Sequence, residues 1–261
     1  MTCRECASTM RSMDDVTVII PARYNSKRLP GKPLLKLGDR TIIQHVYENA
    51  AASRLVSRVV VATDDRRIYD TVRDFGGDCI MTPKGISSGT DRVAYAAKDI
   101  RTKLIMNLQG DEPFLTPAIF DTGLRTALAD RRGSDVVTLA SKIRTARELE
   151  NPNHVKVVMD RQGHALYFSR FPIPFVRDNK GKLVKTVKNH YRHIGIYIFR
   201  RKVLLGFIKL APSLLERMER LEQLRMLENG YRITVVVTGN PPAGIDTPND
   251  MERARGIVAG R

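Results

Sequence analysis

Apolar residues run along the chain in two rhythms. Val16-Thr17-Val18-Ile19-Ile20 is a short β-branched run of the kind buried in a parallel sheet. From Thr41 the spacing changes, and Ile42, Ile43, Val46, Tyr47 and Ala50 recur on one face of a helix. Arg58 to Thr63 predicts a second buried strand. The helix after it carries Ile68, Val72 and Phe75 and stops at Gly76-Gly77, a glycine signal for a helix end. Cys79 to Met81 predicts a third strand. A helix follows from about Thr90 with Val93, Ala94, Ala97 and Ile100 on one face. Leu104 to Leu108 predicts a fourth strand, ending in Gln109-Gly110-Asp111.

Strands alternating with helices predict an α/β fold with a mostly parallel sheet. The second half reads differently. Val155 to Met159 and Ala165 to Phe168 flank Asp160-Arg161-Gln162-Gly163, a hairpin turn. Tyr191 to Phe199 alternates, with Ile194, Ile196 and Ile198 on one face and His193, Gly195 and Tyr197 on the other. Ser213-Leu214-Leu215-Glu216 is a capping box, opening a helix expected to run to Gly230. Ile233 to Thr238 predicts a strand. Thr247, Pro248 and Asp250 start a last helix just after Asp246. The expectation is a flexible tail over residues 1–13 and one domain over 14–261, with an antiparallel subdomain inserted over about 151–212.

Charge adds one constraint. Lys and Arg number 44 against 28 Asp and Glu, a net charge of +16. That excess suits acidic partners: nucleic acid, an anionic membrane, or phosphorylated and carboxylated small molecules. Membrane insertion is not expected, because no apolar stretch approaches roughly 18 residues. Nucleic-acid binding lacks support beyond the charge, since the chain has no Trp, no zinc-ligand spacing and no RNA-recognition aromatic motif. Cys3, Cys6 and Cys79 cannot build a disulfide framework, and a cytoplasmic location is expected. Cys3-Arg4-Glu5-Cys6 has no second ligand pair and is read as part of the floppy start.

In open α/β sheets, ligands sit beyond the carboxyl ends of the strands. The unusual residues of this chain fall there. Arg23, Lys27, Arg28 and Lys32 place four cations within ten residues, on a backbone shaped by Gly31 and two prolines. Such a loop can neutralise and cradle a polyphosphate. It is not a P-loop, for Ser26 stands where that motif needs Gly and Pro33 where it needs Ser or Thr. Asp111, after the turn at Gly110, and Asp246, at a loop-to-helix junction, suit Mg²⁺ beside phosphate oxygens. Ser87 to Arg92 opens a helix whose amides and hydroxyls can bind a nucleotide. Read alone, Glu222-Gln223 is a solvated helix face and His193 a structural strand residue.

Together these motifs resemble the 3-deoxy-manno-octulosonate cytidylyltransferases, also called CMP-Kdo synthetases. The matching segments begin with Ile20 to Tyr24, Arg28 to Leu34, Ala62 to Asp64, Ser88 to Arg92 and Gln109 to Pro113. Further on come Asn151 to Asn153, Val155 to Val158, Ala165 to Arg170, Arg192 to Tyr197, Leu221 to Arg225 and Gly244 to Pro248, so the resemblance spans about residues 14 to 255. It implies a Rossmann-like nucleotide-diphospho-sugar transferase (glycosyltransferase-A-like) fold and a homodimer. The implied reaction is CTP plus Kdo giving CMP-Kdo plus pyrophosphate, for lipopolysaccharide biosynthesis. Another octulosonate or nonulosonate sugar acid is the alternative acceptor.

The resemblance also implies roles. Ala22, Arg23, Lys32, Ser88 and Gly89 would hold the nucleotide, and Arg23, Arg28 and Lys32 would meet the triphosphate. Gln109 would lie beside the reacting centre, completing a catalytic set of Arg23, Arg28, Lys32, Gln109 and Asp111. Arg28, Gln109, Arg170, Arg177, His193, Tyr197, Glu222 and Gln223 would frame the sugar acid. Asp111 and Asp246 would bind Mg²⁺. The chain departs from the family at Pro83-Lys84-Gly85-Ile86-Ser87, where a basic residue and a His are usual, and Lys84 would be the substitute toward cytosine.

Overall fold

Val16 to Ala22 is buried at every position, and the fold is built outward from this strand. The computed structural model describes residues 15–25, 28–86, 88–130, 133–177, 187, 189–240 and 244–260. The expected tail with Cys3 and Cys6, and Lys27 and Ser87, lie outside the described residues. In chain order the first half holds β1 (Val16–Ala22), β2 (Lys36–Leu37), β3 (Arg40–Thr41), α1 (Ile42–Ala51), β4 (Arg58–Thr63), α2 (Arg66–Asp74), β5 (Cys79–Met81), α3 (Gly89–Ala97), β6 (Leu104–Asn107) and α4 (Pro117–Leu128). The second half holds β7 (Val136–Lys142), α5 (Ala146–Glu150), β8 (Lys156–Met159), β9 (Ala165–Ser169), β10 (Tyr191–Arg200), α6 (Arg201–Phe207), α7 (Leu214–Glu219), α8 (Glu222–Glu228), β11 (Ile233–Val237) and α9 (Pro248–Ala259).

The main sheet runs β11-β7-β10-β6-β1-β4-β5, with the β8–β9 hairpin attached through β10. Pairings β1–β4, β1–β6, β4–β5 and β7–β11 are parallel, and β10 is antiparallel to its neighbours. The sheet is therefore mostly parallel, with an antiparallel hairpin inserted. Successive β1 residues serve opposite faces. Val18 and Ile20 pack with Ile43, Val46, Ile68, Val72, Phe120 and Leu124 of α1, α2 and α4. Ile19 packs with Val93 and Ala97 of α3, Phe207 of α6 and Leu224 of α8. Both faces are covered, so the strand reads as an apolar run broken only by the buried Thr17. Each such side chain contributes roughly 1.5–3 kcal/mol on burial. A smaller cluster of Leu37, Ile42, Phe114, Ile245, Met251 and Ala254 pins α9 to the β2–β3 ribbon, fixing the loop that carries Asp246.

Three expectations need correction. The first strand runs two residues beyond the Val16 to Ile20 run, with Pro21 pairing with Ala62 inside it. The missing N–H is tolerated because the Pro21 carbonyl faces Gly110, on the side where β6 has already given way to a loop. The helix expected from Ser213 to Gly230 is two helices, broken at Arg220, which adopts φ 53°. Its capping box forms as expected. Between Pro113 and Glu150 the apolar pattern predicts no element, yet α4, β7 and α5 lie there. In β7, Thr138 and Ser141 are as buried as the apolar positions, so no period marks the strand.

Candidate active site

The loop after β1 is closed on itself before it reaches any partner. Gly31, at φ 67°, donates its N–H to the Tyr24 carbonyl at 2.9 Å, and a Cβ there would lie 3.2 Å from the Tyr24 ring. Glycine alone meets both conditions at low cost. The turn delivers Lys32 inward. Its ammonium donates to Asp111 Oδ2 at 2.6 Å and to Asp246 Oδ1 at 3.0 Å. Arg28 reaches the other Asp246 oxygen at 3.0 Å. Burial alone would lower the Lys32 pKa, but the charges and hydrogen bonds of Asp111 and Asp246 outweigh it, and the net shift is upward.

Main-chain contacts hold the two carboxylates together. The Ile245 N–H donates to the Asp111 carbonyl at 3.0 Å. Gly244 packs on the Glu112 carboxylate, where a Cβ would come within 2.9 Å. Burial, reinforced by the charge of Asp111, pushes Glu112 up to about 8. Glu112 belongs to the Gln109 to Pro113 motif, but its proximity to residue 244 is a product of folding that the motif does not show.

The donor chemistry suits a hard cation. Asp111 and Asp246 already converge on one positive charge, the Lys32 ammonium, through oxygen atoms alone. Among the described residues no group of three or more His, Cys, Asp and Glu could hold a metal by itself. Two carboxylates completed by phosphate oxygens and water is a usual arrangement for Mg²⁺.

A second group lies beyond the ends of β1 and β6. Ser88 caps α3, accepting from the Asp91 N–H at 3.0 Å, and Gly89 follows in the first turn beside Pro21 and Gln109. Ala22 is buried at the end of β1. Arg23 donates to the Ile86 carbonyl at 2.8 Å. Burial lowers its pKa first and Arg92 adds to this, while Asp64, Asp91 and Glu222 oppose. In the segment that departs from the family, Lys84 and Gly85 are exposed. Gln109 donates to Asn107 at 3.0 Å, and Thr90 donates to Glu222 at 2.6 Å.

The face of β10 completes the wall. Tyr197 donates its hydroxyl to Gln223 Oε1 at 3.0 Å. The His193 and Tyr197 ring centroids are 5.4 Å apart, and Phe168 packs edge-on to His193 at 5.0 Å. The β10–β7 register shifts between Ile194 and Tyr197. There Thr138 gives its one hydroxyl proton to the Ile196 carbonyl at 2.6 Å, so at 2.8 Å from His193 Nε2 it must accept. His193 is thereby the Nε2–H tautomer, with Nδ1 left as an acceptor. Burial holds its pKa far below the ordinary value and, first among causes, raises that of Tyr197.

Arg23, Arg28, Lys32, Ser88, Gly89, Gln109, Asp111, His193, Tyr197, Glu222, Gln223 and Asp246 thus gather around the carboxyl ends of β1 and β6. Arg170 is turned elsewhere. Its guanidinium donates to the carbonyls of Glu219 at 2.8 Å, Pro152 at 3.1 Å and Arg220 at 3.5 Å. Arg177 is exposed, and residues 178–186 after it lie outside the described residues. Sequence reasoning missed Asn107 altogether, and it placed Thr90 in the Ser87 to Arg92 segment without its bonds to Asn107 and Glu222. Asn107 was signalled only as the one amide in an otherwise apolar strand.

Comparison with known proteins gives a consistent picture. A family-wide sequence profile described as Cytidylyltransferase matches residues 17–233. The chain is 47% identical over 249 residues to the 3-deoxy-manno-octulosonate cytidylyltransferase of Geobacter sulfurreducens, covering 92% of this chain and 97% of that protein. Identity to the protein of the same name from Solibacter usitatus is 44% over 237 residues, 90% of this chain and 91% of the other. The solved CMP:2-keto-3-deoxy-manno-octonic acid synthetase complexed with CTP is similar at TM-score 0.87 and 40% identity, covering 94% of this chain and 99% of that one. The 4-diphosphocytidyl-2C-methyl-D-erythritol synthase of Anaerococcus prevotii is similar at TM-score 0.63 and 14% identity, a likeness of fold.

Proposed function

Because this chain belongs to the 3-deoxy-manno-octulosonate cytidylyltransferase family, we propose that it transfers the cytidylyl group of CTP to the anomeric hydroxyl of Kdo. The observation that carries the proposal is Lys32 held between Asp111 and Asp246, with Asp111 two residues along the chain from Gln109. A cation and two carboxylates beside a neutral polar wall suit a triphosphate meeting a hydroxyl-rich acid. Relatives at 43–47% identity carry that enzyme name.

The Kdo anomeric oxygen attacks the α-phosphorus, and the bond from that phosphorus to the bridging oxygen breaks in line. CMP-Kdo and pyrophosphate result, and the hydroxyl proton leaves to solvent. Catalysis of this kind is mostly positioning and charge neutralisation. Arg23, Arg28 and Lys32 supply positive charge along the triphosphate. Ser88 and Gly89 offer a helix N-terminus to the nucleotide. Gln109 Oε1 and His193 Nδ1 accept hydroxyl protons of the acceptor, while Glu222 and Gln223 frame its far side. Arg170 and Arg177 serve the sugar carboxylate, Arg170 after exchanging a carbonyl partner for it. Asp111 and Asp246 would hold Mg²⁺, which when bound would supply charge neutralisation at the phosphates and lower the pKa of the hydroxyl.

The family reading carries three further proposals. The enzyme works in the cytosol, supplying activated sugar for lipopolysaccharide. Residues about 151–212 form a sugar-binding and dimerisation subdomain. The chain forms a homodimer, supported by exposed apolar side chains at Leu166, Phe171, Phe175, Leu214 and Met218. They lie on β9, the loop after it, and α7, whose Glu219 accepts from Ser169 at 2.6 Å. The test of function is pyrophosphate release from CTP and Mg²⁺ across a panel of sugar acids. Kdo should be turned over best, and release with none of them would overturn the reading.

A further inference from the structure

A strip of hydrogen bonds runs from Gln109, beside Gly89, to Glu222, beside Gln223. Gln109 Nε2 donates to Asn107 Oδ1 at 3.0 Å, Asn107 Nδ2 to Thr90 Oγ1 at 3.4 Å, and Thr90 Oγ1 to Glu222 Oε2 at 2.6 Å. The four side chains come from β6 and the loop after it, the first turn of α3 and the start of α8. Thr90 and Glu222 are 132 residues apart in sequence.

Valence sets the direction of every link. The Asn107 carbonyl takes the Gln109 amide, so the Asn107 amide faces the Thr90 oxygen. Threonine has one proton, and it goes to the carboxylate. Donors pointing one way and ending on a charge strengthen one another. Asn107 is fully buried and Thr90 is 5% exposed, so neither reaches a substrate. Gln109 and Glu222, the two ends of the strip, are half-buried and so remain accessible.

We propose that Asn107 and Thr90 are positioning residues that hold Gln109 and Glu222 in mutual register. With its amide nitrogen engaged by Asn107, Gln109 presents Oε1, an acceptor, to the substrate. With Oε2 engaged by Thr90, Glu222 presents Oε1. The strip thereby fixes two hydroxyl acceptors at a set spacing and selects among sugar acids by where their hydroxyls fall. The inference rests on the acceptor reading above for the identity of the sugar.

Thr90→Val removes the donor and keeps the shape, and Thr90→Ser restores the hydroxyl. In pyrophosphate release, Thr90→Val should raise the Kdo KM and lower kcat by about tenfold together, moving the CTP KM by less than about twofold. Thr90→Ser should stay close to wild type. Asn107→Asp offers Thr90 a competing acceptor and should produce the same acceptor-side loss. A Thr90→Val enzyme with wild-type kinetics overturns the proposal, as does a Ser variant equally impaired or an equal rise in both KM values. The crystal structure of Thr90→Val should show Glu222 and Gln109 in new rotamers, and unchanged rotamers also overturn it. That last readout needs no substrate, so it decides the strip even if Kdo proves not to be the acceptor.

Discussion

The Lys32 ammonium and the Asp111 carboxylate, 79 positions apart in sequence, meet at 2.6 Å beyond the ends of adjacent strands β1 and β6. The same ammonium holds Asp246 from the far end of the chain. The first prediction concerns the carboxylates. Asp111→Asn and Asp246→Asn keep shape while removing a charged oxygen ligand. Each should cost at least about 100-fold in turnover, since even groups that only orient a ligand are worth about 10–100-fold. Mg²⁺ titrations followed by CTP binding should shift in step. Wild-type turnover at limiting Mg²⁺ in either variant would refute its role as a ligand.

Lys32 and Arg28 should separate by depth. The Lys32 side chain is 12% exposed and that of Arg28 60%. Lys32→Ala should lower CTP affinity and kcat together by roughly 2 kcal/mol or more in all, because a charge-assisted hydrogen bond disappears from a partly buried site. Arg28→Ala should cost about 1 kcal/mol or less in ground-state binding, because solvent screens it. Removing Lys32 also leaves two carboxylates facing each other. Added Mg²⁺ should therefore raise the melting temperature of Lys32→Ala more than that of wild type. A change confined to the Kdo KM would move this loop to the acceptor side.

The break between α7 and α8 gives a stability prediction. Arg220 is exposed and sits at φ 53°, a conformation that costs an L-residue roughly 1–2 kcal/mol and glycine little. Arg220→Gly should be neutral or stabilising by up to about 1 kcal/mol, and Arg220→Val destabilising. Denaturant unfolding of the two variants decides it, and a glycine variant less stable than the valine one would contradict the argument.

Arg220 also shows where the sequence stops being informative. Its neighbours Leu214, Leu215, Leu221 and Leu224 keep an apolar rhythm across the break, so nothing local marks it. The strands around β1 were legible because both faces are covered and the apolar runs are continuous. β7 was not, since Thr138 and Ser141 are buried for hydrogen bonds to Ile196 and Asn240 that join distant segments. Asp111 and Asp246 each stood out at a strand or helix end, but only folding shows that they share one ammonium. Arg170 was legible as the cation that ends the Ala165 to Arg170 motif, while two of its three carbonyl partners depend on a turn at residues 219–220 that the sequence concealed.

Those carbonyls lead to a prediction for Arg170. Its backbone N–H also donates to Glu219 at 3.0 Å, and its own carbonyl accepts from the buried Lys156 ammonium. Arg170→Lys keeps a charge and loses the fork that spans Pro152, Glu219 and Arg220. It should lower stability by about 1–3 kcal/mol. If Arg170 also serves the sugar carboxylate, Arg170→Ala should raise the Kdo KM well beyond the CTP KM. A stability loss with both KM values unchanged would make the residue a clasp alone.

The last prediction concerns pH and His193. The imidazole is held neutral by burial, with a folded-state pKa of about 3, while an unfolded chain protonates near ~6.5. Between those values the unfolded state binds more protons, so stability rises with pH across the window. The neutral ring's contribution is complete above about 6.5 and is lost progressively as pH falls toward 3. His193→Gln can still donate an N–H to Thr138 and cannot titrate. Its unfolding free energy should fall less steeply than that of wild type below about pH 6.5, with the two curves parallel above it. Catalysis follows from the same neutrality. If Nδ1 accepts a hydroxyl of the acceptor, as proposed, the Kdo KM should show no inflection belonging to His193 in the neutral range. An acidic limb in that KM with an apparent pKa near ~6.5, present in wild type and absent in His193→Gln, would mean that the imidazolium is reached in the folded enzyme. In that case the Nε2–H tautomer donating to Thr138 would not be the working form.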